Sequence, residues 1–263
     1  MTVRIFTGDL DTFDQQQQSI RDSKLQPFAN SSEMSSHSQV SRWLIVGAGG
    51  FGREVYSWTS GQLHSKDFST RVGFLDDNPD CLHRFPHLNH LWAGRIADYS
   101  PEPGDRLLMA IADPTSKLAA GALLTERGGS FASFVHPTAV LSPDVDMGIG
   151  CILCPLSVVC CNVVIGDFVA MNVGSLAGHD SILSEGCTLS PHANVAGQVK
   201  LERGVFMGCQ AVILPKVNVG EYARIGAGST VIGHVRANST MMGVPAKRVS
   251  WSRSLEDADQ DVA

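Results

Sequence analysis

The sequence predicts a small parallel α/β unit followed by a long parallel β-helix. Two observations carry this reading. Strand-like and helix-like segments alternate between residues 42 and 132, and an apolar residue then recurs at every sixth position from 135 to 231.

Residues 1–41 contain Gln15–Gln18 and the serine-rich stretch NSSEMSSHSQVS, with few apolar side chains and no lasting periodicity. That composition predicts a disordered arm. At Trp43 the composition changes. RWLIV reads as a buried strand, GAGGFG as a tight turn and REVYSW as the helix that follows. RVGFLDD gives a second strand, RLLMAIAD a third, and PTSKLAAGALLTERGG a helix ended by glycine. Such alternation predicts a small Rossmann-like parallel sheet over 42–132.

Across 133–249 the pattern is different. From Val135, Leu141 and Met147 through Ala177 to Ile225 and Val231, every sixth residue is apolar. A small or β-branched residue stands two places earlier at most steps, as at Cys151, Ser157, Val163, Ser175 and Ala193. Gly, Asn or Ser often follows directly, as at Gly148, Gly166, Asn172, Gly178 and Ser190. An α-helix would drift out of phase with a six-residue period, and the glycines would weaken it further. Stacked coils fit, each burying its apolar residues against its neighbours. Residues 250–263 form a polar tail.

Bulk composition excludes several functions. A net charge of −6 with scattered Lys and Arg argues against a nucleic-acid surface. No apolar run is long enough for a membrane span, and the N-terminus lacks a signal-peptide pattern. Seven cysteines, an odd number without an export signal, predict reduced thiols in the cytoplasm.

The hexapeptide pattern of 135–249, ending in GVPAKRV, resembles that of the left-handed β-helix acyltransferases. More narrowly, 42–249 is similar to the sugar acetyltransferase family of sialic acid O-acetyltransferases and bacterial UDP-amino-sugar N-acetyltransferases. GAGGFGREV, GFLDDNP, FVHPTAV and GHD follow that family's order. The resemblance implies left-handed coils, an exception to the usual crossover hand. Three six-residue faces would make one coil of a triangular prism. It also implies a homotrimer of prisms, with acetyl-CoA as co-substrate in the groove between two of them, and no metal.

On that geometry His179, two places after inward-facing Ala177, falls at a prism corner with Gly197 above it and Cys161 below. Ser190 stacks above Asn172 on the preceding face. The register leaves two readings of His179, a catalytic base or a solvated corner residue. Acetyl transfer from a thioester needs a base for the attacking amine or hydroxyl and a donor for the developing oxyanion. The Gly197 N–H suits the second task, and Asp180 would fix the imidazole tautomer. The resemblance favours catalysis, since the family's catalytic histidine aligns with His179. It further places Asn172 on the acceptor side, and Gly197, Pro215 and Lys247 along the donor. Two departures stand out. Gly178 replaces an acidic residue common in relatives, and Thr188 replaces a second family histidine; His192, at another corner, is either a substitute or, as its position favours, a plain surface residue.

GAGGFG satisfies G-x-G-x-x-G through Gly47, Gly49 and Gly52, with Gly50 between, after a strand and before a helix. Amides at such a helix start attract phosphate, and Asp76 or Asp77 could hold a ribose or a base. A nicotinamide dinucleotide and a turn kept for packing are alternatives, although the unit is about half of a full dinucleotide fold. The resemblance implies the nucleotide of an acceptor sugar. CILC at 151–154 has zinc-knuckle spacing without a second pair, which favours packing. Cys161 as a thiol nucleophile is disfavoured, because direct attack needs no acyl-enzyme.

The expected function is acetyl-CoA-dependent transfer of an acetyl group to an amino or hydroxyl group of a sugar, nucleotide-linked, in surface polysaccharide or glycan biosynthesis. Open alternatives are a sialic acid or other sugar O-acetyltransferase, a serine acetyltransferase-like enzyme, and a non-catalytic hexapeptide scaffold. The serine family usually carries a helical N-terminal domain, unlike the α/β pattern here.

Overall fold

The computed structural model describes residues 42–62 and 72–249. The arm read from residues 1–41 and the tail read from 250–263 lie outside the described residues.

The α/β unit opens with β1 (Arg42–Val46), whose Leu44, Ile45 and Val46 are all fully buried. Such a continuous apolar run suits a parallel strand covered on both faces. The Gly-rich turn leads into α1 (Gly50–Gln62), then β2 (Val72–Leu75), the short α2 (Pro86–Asn89), β3 (Trp92–Gly94), β4 (Asp105–Met109) and α3 (Pro114–Glu126). The sheet is parallel in the order β3-β2-β1-β4. Asp113 caps α3, its carboxylate accepting the Ser116 N–H at 3.0 Å, and Pro114 follows at the first turn. The sequence pattern finds β1, β2, β4, α1 and α3. It misses α2 and β3, which are too short to show a period.

From Phe134 the chain winds into a left-handed parallel β-helix of two-residue strands. From 134 to 231 the strands pair in parallel from coil to coil, eighteen residues apart, as Ala177 pairs with Val159 and Val195. Three sheets form the faces of the prism. Face A holds 146–147, 164–165, 182–183, 200–201 and 218–219; face B runs from 134–135 to 224–225 and ends in 240–242 and 247–249; face C runs from 140–141 to 230–231. The every-sixth residues fill the interior: Leu153, Met171, Ala177, Leu183, Val195 and Met207 have no exposed surface. Val135, in the first coil, is 37% exposed because no coil lies beneath it.

The α/β unit sits on face B. Outward-pointing Ile152, Ala170 and Thr188 are buried there, and Ile152 shares an apolar cluster with Ile45, Phe74 and Leu108. Phe168 packs on Phe131, ring centroids 4.8 Å apart, and closes on Gly121 of α3. Arg224 pairs with Asp113 at 2.6 Å. Lys117 of α3 is fully buried and donates to the Thr188 hydroxyl at 2.6 Å and to the Cys187 carbonyl at 3.2 Å. Burial holds its ammonium group down to about 8.

Candidate active site

His179 stands at the corner between faces C and A. The turn there needs a glycine first: a Cβ at Gly178 would lie 2.7 Å from the Ala196 carbonyl carbon and the Gly197 nitrogen. Asp180 then takes a left-handed conformation, φ 58°, which aspartate tolerates better than most residues. Coil-to-coil hydrogen bonds lock the corner, the Asp180 N–H donating to the Cys161 carbonyl at 3.0 Å and the Gln198 N–H to the His179 carbonyl at 2.8 Å.

Nδ1 of the exposed His179 ring lies 2.7 Å from Oδ2 of Asp180. A carboxylate only accepts, so Nδ1 carries the hydrogen and Nε2 keeps a free lone pair. That ring edge rests against Gly197: a Cβ there would collide with Nε2 and lie 2.6 Å from Cε1. Among the described residues the Gly197 N–H has no protein acceptor. Pro215, exposed, is one coil further up the same column. The corner thus presents a base and an unpaired N–H side by side.

Other predicted residues lie elsewhere on the prism. Asn172 is at the corner between faces B and C, its Oδ1 accepting the Val173 N–H at 2.7 Å. Val173 belongs to the apolar cluster that includes Phe51 and Trp58 of α1, so Asn172 is on the side of the Gly-rich turn. Lys247 pairs across the terminal hairpin with Met242, which packs over Gly226 of that same corner column. His192 is there too, its ring against Gly174. Face C separates these residues, His192 among them, from His179 within one chain. Thr188 points into the interface with the α/β unit, donating to the Ala112 carbonyl at 2.8 Å.

The glycines of the turn divide by role. Gly47 has φ +100° and no room for a side chain, a Cβ meeting the Ala110 oxygen at 2.9 Å; a Cβ on Gly52 would overlap the Gly47 oxygen. Gly49 and Gly50 are exposed, with open space where a Cβ would go. The Asp76 carboxylate accepts the Ala48 N–H at 2.8 Å and the Asn78 N–H at 3.0 Å, so it braces the turn. Asp77 is exposed and accepts the Ala97 N–H at 2.9 Å. The sequence reading missed Arg53. Its guanidinium donates to the Ala48 carbonyl at 3.1 Å and lies 3.9 Å from the centroid of the Phe85 ring. An arginine in the first turn of a helix after a Gly-rich loop is the signal that could have found it.

Cys151 is buried in the prism core, and Cys154 in the cluster beneath α1. The two point into different cores, and burial pushes the Cys151 thiol up to about 12. Among the described residues no group of three or more metal-ligating side chains converges, and no helix is long and apolar enough to cross a membrane.

Coils of this period are those of the hexapeptide class of β-helix proteins. No protein-family model matches the chain. A serine acetyltransferase of Haemophilus influenzae is 36% identical over 86 residues, 32% of this chain and 32% of that protein; the chain thus matches about a third of that relative's length. WeeI from Acinetobacter baumannii AYE is 25% identical with a TM-score of 0.70, covering 79% of this chain and 99% of that one. PerB from Caulobacter crescentus, solved in complex with CoA and GDP-perosamine, is 27% identical with a TM-score of 0.70, covering 80% and 97%. In fold the chain is similar to these hexapeptide-repeat acetyltransferases over about four fifths of its length.

Proposed function

We propose that the protein transfers an acetyl group from acetyl-CoA to an amino group of a nucleotide-linked sugar. One observation carries this reading: the 2.7 Å contact between His179 Nδ1 and Asp180, which leaves Nε2 as an available base next to the Gly197 N–H. The acceptor nitrogen attacks the thioester carbonyl and gives its proton to Nε2. Gly197 N–H donates to the oxyanion that forms, while the Asp180 carboxylate stabilises the imidazolium. Collapse expels the CoA thiolate, which takes the proton back from Nε2. A solved relative bound to CoA and GDP-perosamine supports a nucleotide amino sugar as acceptor.

On this reading the open amides of Gly49 and Gly50, the start of α1 and Arg53 hold the acceptor's phosphates. Asp77 faces its ribose or base, and Asn172 lies on the same side. Gly197, Pro215 and Lys247 line the donor. Because one chain places these groups at two corners, the site is completed by a second copy, in a homotrimer. Face C supports this. Val140 is 60% exposed there, and Leu156 (61%) and Ile232 (59%) flank it, apolar surface that suits a closed symmetric contact. All seven cysteines are free thiols, which fits a cytoplasmic location.

The test is release of CoA thiol from acetyl-CoA with a panel of GDP-, UDP- and dTDP-linked amino sugars, with serine and free sialic acid alongside. Turnover confined to one or more nucleotide amino sugars is the expected result. Turnover with serine or sialic acid alone would replace the acceptor, and no thiol release with any of them would refute acetyl transfer to these acceptors.

A further inference from the structure

We propose that Asn162 is a positioning residue for the His179–Asp180 pair, an inference that rests on the acetyl-transfer reading above. Asn162 occupies the corner position one coil below Asp180, the adjoining strands being paired as Val164 with Ile182. Its Nδ2 donates to Oδ1 of Asp180 at 3.1 Å, while Oδ2 of the same carboxylate meets His179 Nδ1 at 2.7 Å. Both carboxylate oxygens are therefore engaged, one by the imidazole and one by the amide. That arrangement fixes the rotation of the Asp180 side chain and, through it, the tautomer and direction of the imidazole. Asn162 is itself held from below, its N–H donating to Oδ2 of Asp144 at 3.0 Å. The chain Asp144–Asn162–Asp180–His179 thus climbs the corner to the face of Gly197.

The turn alone does not explain the asparagine. Asn162 has φ 56°, but Gln198 and Lys216 hold the equivalent position two and three coils from it at 59° and 64°, so this backbone accepts other side chains. The chemistry explains it better. A neutral amide donates to Asp180 without quenching its charge, whereas a lysine or arginine there would compete with the imidazolium for the carboxylate.

The experiment is a double-mutant cycle with two forms of the first variant. Asn162→Gly removes the amide at a position whose positive φ glycine adopts freely, and Asn162→Asp keeps the shape but cannot donate. Each is expected to lower kcat about three- to tenfold, with the KM for acetyl-CoA within about twofold of the parent. In the Asp180→Asn background the same changes should alter kcat less than about twofold, since the group through which Asn162 acts is already lost. In ¹⁵N-histidine spectra His179 should hold its hydrogen on Nδ1 in the parent and become a tautomer mixture in both Asn162 variants. Parental kcat and an unmixed tautomer, or an equal loss in the Asp180→Asn background, would overturn the assignment. Parental turnover in His179→Ala would instead sink the acetyl-transfer reading beneath it, so the two failures are distinguishable.

Discussion

The imidazole of His179 lies against the α-carbon of Gly197, one coil above it, so closely that no side chain fits between them. The base and the proposed oxyanion donor are thereby set by a single contact. Gly197→Ala should push the ring away from the corner. Gly197 lies outside the left-handed region, so its backbone accepts alanine and the melting temperature should stay close to the parent's. The kcat is expected to fall about ten- to a hundredfold, as a misplaced catalytic group can cost. Parental kcat would show that the ring needs no such seat.

His179→Ala removes the base itself. The side chain is exposed and supports no core, so fold and acetyl-CoA binding should survive. Turnover should drop by about two to four orders of magnitude, a typical loss for a general base. Calorimetric titration with acetyl-CoA beside steady-state kinetics checks both halves. A variant that keeps parental turnover makes His179 only a corner residue.

Gly49 and Gly52 should respond in opposite ways, although they sit in one motif. A Cβ on Gly52 overlaps the Gly47 oxygen, so Gly52→Ala is expected to lower the melting temperature sharply. Gly49 opens to solvent, so Gly49→Leu should leave the fold intact and raise the acceptor's KM far more than that of acetyl-CoA. An equal rise in both would detach the turn from the acceptor.

These contrasts show what the sequence could disclose. The six-residue period reveals the prism, its inward residues and the corner of His179, because each coil repeats its neighbour's register. Gly52 reads there like Gly49, since nothing in the string marks the overlap with the Gly47 oxygen. The same period moves Asn172, seven residues before His179, to the preceding corner. Lys117 in a helix reads as a solvated charge. Its partner Thr188 lies seventy-one residues on, and only the docking of the α/β unit on face B brings them together.

Lys117 makes stability depend on pH in a predictable direction. Burial lowers its ammonium group from 10.5 to about 8, so between those values the unfolded chain binds more protons than the folded one. Stability therefore gains from this residue as pH rises from about 8 toward 10.5, and its full cost is present below about 8. Lys117→Met removes the charge and leaves Thr188 bonded to Ala112 at 2.8 Å. The variant's stability relative to the parent should be highest near pH 7 and decline by pH 10, as read from urea melts. A difference independent of pH would mean that Lys117 keeps its ordinary basicity.

The two-corner arrangement makes a further demand on the assembly. If the acceptor end of one copy meets the His179 corner of the next, then defects in the two ends can be carried by different chains. His179→Ala retains an intact Gly-rich turn, and Gly49→Leu retains an intact catalytic corner. Co-expressed with distinct tags and purified as mixed trimers, they should recover activity that neither has alone. In a mixed cyclic trimer of either composition, one of the three sites draws both ends from undamaged parts, so about one third of parental turnover is expected. Sedimentation should give a trimer, and a charge placed on face C, as in Val212→Asp, should yield folded monomers without activity. Mixed trimers no more active than either parent variant would mean that each site lies within one chain. An active monomer would lead to the same conclusion.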